Sequence, residues 1–413
     1  MSVSIRNILK TLGPGIVFAG MCVGVSHLVQ STRAGADYGF MLLPAVLAAV
    51  IFKYPFFEFS SRYTSATGLS ILHGYDKQGR WILWGYALVT IATMFIVTAA
   101  VTFVAAGLMS SVFMLDLNTD ALSAIILAVC FIILASGKYG ALDGLLKVVS
   151  IVLLLSTIAA VTVALFNDRV PQAEGFLSKD LYTASGITFV IALMGWMPTA
   201  VDMSTWTGLW AEERVQQTRY TPTLRETLLD FNIGYVSTGV LAVIFLSLGA
   251  LVMYGSGLEL SNSSAGFAEQ LIGLYTSSMG EWSYLLIAIA AFSTMFSTTI
   301  TVLDGYGRVC NRIMEMVSGF GGRKMYALFI FIVAVGGWVV ISQFLNNLKS
   351  LVDLATTISF IIAPVAAYLN YRVIMSADIN KAYAPPVWLN RLAIAGMIFL
   401  TGFTLVYFYV LIM

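Results

Sequence analysis

The polar groups that could do chemistry in this sequence sit inside two apolar stretches rather than between them. The first stretch carries Cys22, Gly24, Ser26 and His27; the second carries Gly195, Trp196, Met197, Pro198, Thr199 and Asp202. Methionine and histidine offer sulfur and nitrogen donors that suit later transition metals. A carboxylate at membrane depth holds a cation, takes a proton or finds an internal partner, and Arg33 or Arg62 is the candidate partner for Asp202. His27 reads as a ligand or proton carrier, with a satisfied core histidine as the alternative. The candidate metal ligands are thus Met197, His27 and Asp202. Enzyme chemistry has little to work with. His27 and His73 are the only histidines, and no phosphate-binding loop or zinc-protease signature occurs. Cys22, Cys130 and Cys310 are far apart and read as small buried hydrophobes.

The elements that position these groups are membrane helices. The chain has 413 residues, 59% hydrophobic and 10% charged, with mean hydropathy +0.88. Soluble domains carry about 25% charged residues, so most of this surface faces something other than water. A net charge of +1 gives no bias toward nucleic acid. Eleven apolar runs reach the length of about 20 residues that a bilayer demands. They lie at roughly 13–34, 39–63, 82–113, 120–136, 143–166, 185–211, 229–254, 282–309, 325–345, 350–373 and 391–412. Positive charge supports the count independently, because lysine and arginine accumulate on the cytoplasmic side of short loops. With the N-terminus inside and the C-terminus outside, only Arg33, Arg169, Lys179 and Lys349 fall outside, and Lys53 lies within a span. Short termini and loops suit a bacterial inner membrane.

Spans one and six differ from the rest. Gly20 and Gly24 loosen the first at its middle, and Gly195 with Pro198 interrupts the sixth. Five helices separate the breaks, so the two spans cross in opposite senses. Paired discontinuous helices are where inverted-repeat transporters place substrate. Their unwound carbonyls hold cations and their half-helix N-termini hold anions. The repeats are expected at 1–170 and 171–375, with a peripheral helix at 376–413. Substrate would then meet Cys22, Gly24, Ser26, His27, Gly195, Trp196, Met197, Thr199 and Asp202.

Other polar residues offer a pathway. Ser293, Ser297 and Thr301 share a helical face in span eight, where interhelical hydrogen bonding is the alternative. Asp353 and Thr356, with Thr357, lie early in span ten. Trp206 and Trp210, four residues apart, could form a wall for an organic cation, or could pack and anchor. Lys53, Glu58 and Arg62 read as pairs or snorkelling groups near the inner interface.

Several segments resemble the Nramp family of divalent-metal transporters. They are Gly13-Pro14-Gly15, the run Ser31-Thr32-Arg33-Ala34-Gly35-Ala36-Asp37-Tyr38-Gly39, the run from Ser60 to Gly68, and Met197-Pro198 at the start of that family's Met-Pro-His motif. The resemblance implies the LeuT-like fold of the amino acid–polyamine–cation superfamily: all-α, integral to the membrane, a 5+5 inverted repeat with eleven transmembrane helices. It also implies a symporter importing a divalent transition metal as substrate, with no permanently bound cofactor. The family's Asp-Pro-Gly-Asn motif in span one reads Gly24-Val25-Ser26-His27 here, its span-six histidine is Thr199, and its span-three acids are Met94 and Val97. A dication without carboxylates faces a costly desolvation. A small organic solute on the same fold is therefore the rival passenger; a channel or a receptor is a lesser alternative.

Overall fold

The computed structural model describes residues 11–412 except 116, 138, 167–171, 345–346 and 377–378, and gives the backbone alone over 139–150. The expected repeat boundary at 170–171, and the side chains of Arg6, Lys10, Lys138, Lys147 and Arg169, lie outside the described residues.

The first apolar run forms α1 (Pro14–Cys22), a π-helical turn (Ser26–Ser31) and α2 (Thr32–Tyr38). Pro14 suits the first turn, where its missing N–H would have no partner. The two halves meet at 44°. There follow α3 (Leu43–Thr67), the short α4 (Ile71–Gln78), α5 (Arg80–Phe113), α6 (Thr119–Ser136) and α7 (Tyr139–Phe166). The sixth run is split into α8 (Ala184–Gly195) and α9 (Ser204–Thr218), with a 3₁₀ turn at Val201–Met203 between them. The rest is α10 (Leu224–Val252), α11 (Ser264–Met279), α12 (Tyr284–Ser318), α13 (Arg323–Ser342), α14 (Leu348–Ile374) and α15 (Val387–Ile412).

Sequence marks several ends. Gly68 closes α3 in the left-handed region (φ 74°) that glycine adopts freely. Thr223 and Glu226 form a reciprocal capping box opening α10. Among the described residues, eight helices are long and apolar enough to cross a membrane, or nine with the bent first pair. Helices occupy all eleven expected runs. Two of those runs miss the count: the sixth is broken, and the fifth is described in full only over Ile151–Phe166.

The long α5 and α12 pack along one another at the centre, α12 also touches α1, and α10 wraps α1, the π-helical turn, α2 and α3. Helix α14 lies against α8, α5 and α3. Helix α15 leans on α3 and α14 with most of its surface outward. Glycines let the backbones approach. A Cβ on Gly15 would sit 2.0 Å from the Asp230 carbonyl oxygen, and one on Gly195 2.0 Å from that of Thr356.

Candidate functional site

Both helical ladders stop where glycine and proline predict. In the first break, Gly24 N–H reaches only as far back as the Cys22 carbonyl (2.8 Å). In the second, α8 ends at Gly195 and helical structure resumes at Val201. The freed carbonyls have protein partners. Thr298 Oγ1 of α12 donates near both the Gly20 (3.0 Å) and Val23 (3.3 Å) oxygens, and Ser26 Oγ donates to Cys22 (2.7 Å). In the second break Lys53 Nζ donates to the carbonyls of Met194 (2.5 Å), Gly195 (2.8 Å) and Thr199 (3.2 Å). Lys53 is 0% exposed, which corrects the expectation of a snorkelling group near an interface. Glu58 and Arg62 do pair, at 2.5 Å.

Between the breaks lies a small, partly open cavity, with about 20 Å³ of space for a water-sized occupant. Its polar and sulfur-bearing lining is Met21, Cys22, Ser26, Thr199, Met203 and Thr298; Val25, Val97, Val101, Trp196 and Val302 complete it. Of the sequence candidates, Cys22, Ser26, Trp196 and Thr199 therefore meet around one space, while Gly24 and Gly195 supply the turns beside it. Val97, standing where the resemblance puts an acid, contributes apolar wall.

Other candidates lie apart from that lining. His27 has Nε2 2.9 Å from the Thr238 carbonyl oxygen and Nδ1 2.8 Å from Ser26 Oγ, with its ring edge-on to Phe245. A carbonyl only accepts, so Nε2 carries the hydrogen, and Nδ1 faces the serine. Met197 is fully buried, and Ser31 Oγ donates toward its sulfur at 3.9 Å. Asp202 is 3% exposed and its Oδ1 has no hydrogen-bond partner. Lys53, Tyr75, Tyr86 and Tyr306 stand within its electrostatic reach. Neither Arg33 nor Arg62 pairs with it: Arg33 holds Asp353 and Arg62 holds Glu58.

Asp353 and Thr356 belong to a network beyond the cavity, where Gln30 Nε2 donates to Asp353 (3.0 Å) and Thr356 (3.3 Å). At the opposite end, Asp304 accepts from Trp210, Arg308 and Tyr326, while Arg308 reaches Glu213 and Arg312 reaches Glu212. The cavity thus sits between two layers of polar contacts. The tryptophan wall is not built. Trp206 packs against Trp210 and Tyr306, and neither Trp206 nor Trp210 lines the cavity. In α12, Thr301 Oγ1 bonds back to Ser297, and Thr298 rather than Ser293, Ser297 or Thr301 faces the cavity.

Sequence reasoning missed Thr298, Met203 and the role of Lys53. An isolated lysine deep in an apolar run was the available signal for the last. It also missed Asp230 of α10, whose carboxylate accepts Gly13 N–H (3.1 Å) and Gly15 N–H (2.7 Å) and holds the start of α1. Asn370 of α14 likewise bonds Tyr75, the Phe56 carbonyl and Ser204, tying four helices together.

A family model described as Natural resistance-associated macrophage protein-like (Nramp) matches residues 15–410. An uncharacterized protein of Pasteurella multocida (strain Pm70) is 36% identical over 402 residues, spanning 96% of this chain and 91% of its own length. A mutant of the manganese transporter of Eremococcus coleocola superposes with a TM-score of 0.75 at 12% identity, over 98% of this chain and 88% of that one. MhsT, solved in complex with L-phenylalanine, superposes with a TM-score of 0.61 at 13% identity, over 96% and 98% of the two chains. At such identities the likeness is one of fold, and that fold is LeuT-like.

Proposed function

Because the chain belongs to the natural resistance-associated macrophage protein-like family, we propose that it is a secondary transporter that imports a divalent transition-metal ion by alternating access. One observation carries the siting of the passenger: the breaks in α1–α2 and α8–α9 face each other across one cavity lined from both. The donors that line it are soft, the Cys22 thiol and the Met21 and Met203 thioethers, with the Ser26, Thr199 and Thr298 hydroxyls beside them. That set suits a later, softer metal better than a hard ion. Met197, His27 and Asp202 stand just behind it and would join only after side-chain movement. Asp202, buried without a hydrogen-bond partner at Oδ1, is our candidate for the coupling proton.

In this reading eleven spans cross an inner membrane, the N-terminus is cytoplasmic and the C-terminus outside. Residues 1–170 and 171–375 form the inverted halves, and 376–413 the peripheral helix. The Arg33–Asp353 contact is then the outer closure, and the Asp304–Arg308–Glu213 cluster the inner one.

A specific observation keeps a second reading, a small organic solute. No group of three or more His, Cys, Asp or Glu that could hold a metal occurs among the described residues, and much of the cavity wall is apolar. Uptake of radiolabelled manganese and iron into proteoliposomes separates the two, run beside Cys22→Ser and Met197→Ala. Saturable uptake that exchanges with preloaded metal and falls in Cys22→Ser supports the metal. Indifference to every metal, with counterflow of an amino acid or amine, replaces it with the solute.

A further inference from the structure

Lys53 places its terminal nitrogen inside the protein's own broken helix. Its ammonium has three N–H donors, and three backbone carbonyls take them: Met194 and Gly195 from the last turn of α8, and Thr199 from the unwound segment. The Met194 and Gly195 oxygens sit at the negative end of α8, where the macrodipole adds to the attraction. The side chain is wholly buried. Among the described residues, Asp202 is the carboxylate in its electrostatic surroundings; it makes no ion pair with Lys53 and leaves Oδ1 without a hydrogen-bond partner. A buried charge without a paired counter-charge is expensive, and a residue kept under those terms has a function by default.

Unwound carbonyls at mid-membrane are the groups that coordinate a free cation in discontinuous-helix transporters. Here three of them converge, and the ligand they hold is covalently attached to α3. We infer that Met194, Gly195 and Thr199 form a monovalent-cation site and that Lys53 permanently fills it. The site takes a primary ammonium or an alkali ion, and the wild-type protein has no vacancy there for either. The inference holds whether the passenger is a metal or a solute.

The competing account makes Lys53 a helix staple, for which any hydrogen-bond donor of similar length suffices. Thermal unfolding in detergent distinguishes them, at constant ionic strength with choline as the inert cation. Wild type should be indifferent to sodium, potassium and methylammonium. Lys53→Ala should melt lower and be raised saturably by at least one of the three. At a hundred times the dissociation constant, the folded-to-unfolded ratio rises about 100-fold. Lys53→Gln, which keeps the cradle plugged without charge, should show no cation response. Saturable stabilisation of wild type by any of these ions overturns the proposal. So does a folded, monodisperse Lys53→Ala whose melting ignores all three, and so does failure to recover that variant in every salt. Recovery only in sodium, potassium or methylammonium supports it. Because melting is read rather than uptake, a failed metal assay and a failed cation-site assay remain distinguishable.

Discussion

Arg33 grips both carboxylate oxygens of Asp353, at 2.7 and 2.9 Å, and so ties α2, the second half of the first span, to α14. The guanidinium also lies 4.5 Å over the Phe189 ring of α8. Three elements, α2, α8 and α14, therefore meet at one side chain. Replacing Asp353 by Asn weakens the grip while keeping the shape. In a background lacking Cys130 and Cys310, the reaction of Cys22 with a small charged thiol reagent should quicken by roughly tenfold, equivalent to about 1.4 kcal/mol. Unchanged labelling would remove this contact from the closure.

If the passenger is a metal, the sulfurs lining the cavity should carry its affinity. Cys22→Ser and Met203→Leu each keep volume and remove a soft donor. Each is expected to raise the apparent KM for manganese or iron by about tenfold or more, with loss of roughly 1.4 kcal/mol or more per donor. Isothermal titration with the purified variants checks the same expectation without transport.

Gly195→Ala places a methyl group 2.0 Å from the Thr356 carbonyl oxygen, where both partners are backbone and cannot swing aside. The overpacking should cost about 1–3 kcal/mol and lower the melting temperature. Gly273→Ala in α11 meets nothing within 4 Å and should be neutral or stabilising by up to about 1 kcal/mol. Equal melting of the two variants would contradict the close approach of α8 to α14.

Glu212 is 8% exposed and serves two partners, accepting from Arg312 at 2.7 Å and from the backbone N–H of Ser70 at the start of α4. Glu212→Ala strands both donors. A loss of about 2–3 kcal/mol is expected, somewhat below that for a fully buried pair because Arg312 is a quarter exposed. Differential scanning in detergent measures it.

His73 in α4 lies between spans, and burial together with the nearby Arg312 guanidinium holds its pKa below the ordinary value. The unfolded chain therefore binds the proton more readily than the folded one, so stability is lost as pH falls below about 6.5. His73→Gln should melt with a shallower acid dependence in that range and match wild type at pH 8. Parallel slopes would show that the folded chain does not hold the His73 pKa below its ordinary value.

The helices and their breaks were open to reading from residue order alone. Apolar runs of bilayer length, the charge asymmetry of the loops, and glycine or proline at the middle of two of them follow from local physics. Helices form in those runs, and the ladders stop at Gly24 and between Gly195 and Val201. The same reasoning put Cys22, Ser26, Trp196 and Thr199 together, and they line one cavity; it also put His27, Met197 and Asp202 there, and these lie outside the lining.

What could not be read was which groups would answer the freed carbonyls, since that depends on how neighbouring helices are rotated. Nothing in the order of residues makes Thr298 the hydroxyl that answers the Gly20 and Val23 carbonyls, or brings Asp230 to the amides of Gly13 and Gly15 from 215 or more positions away. Lys53 was visible as an anomaly, but its role was not. A buried ammonium takes its meaning from three oxygens that lie 141 to 146 residues further along the chain and meet it only when α3 packs beside α8. Hydrophobicity and backbone propensity act within a segment and are written locally; hydrogen-bond partners across the bundle are fixed by packing, which only the assembled chain decides.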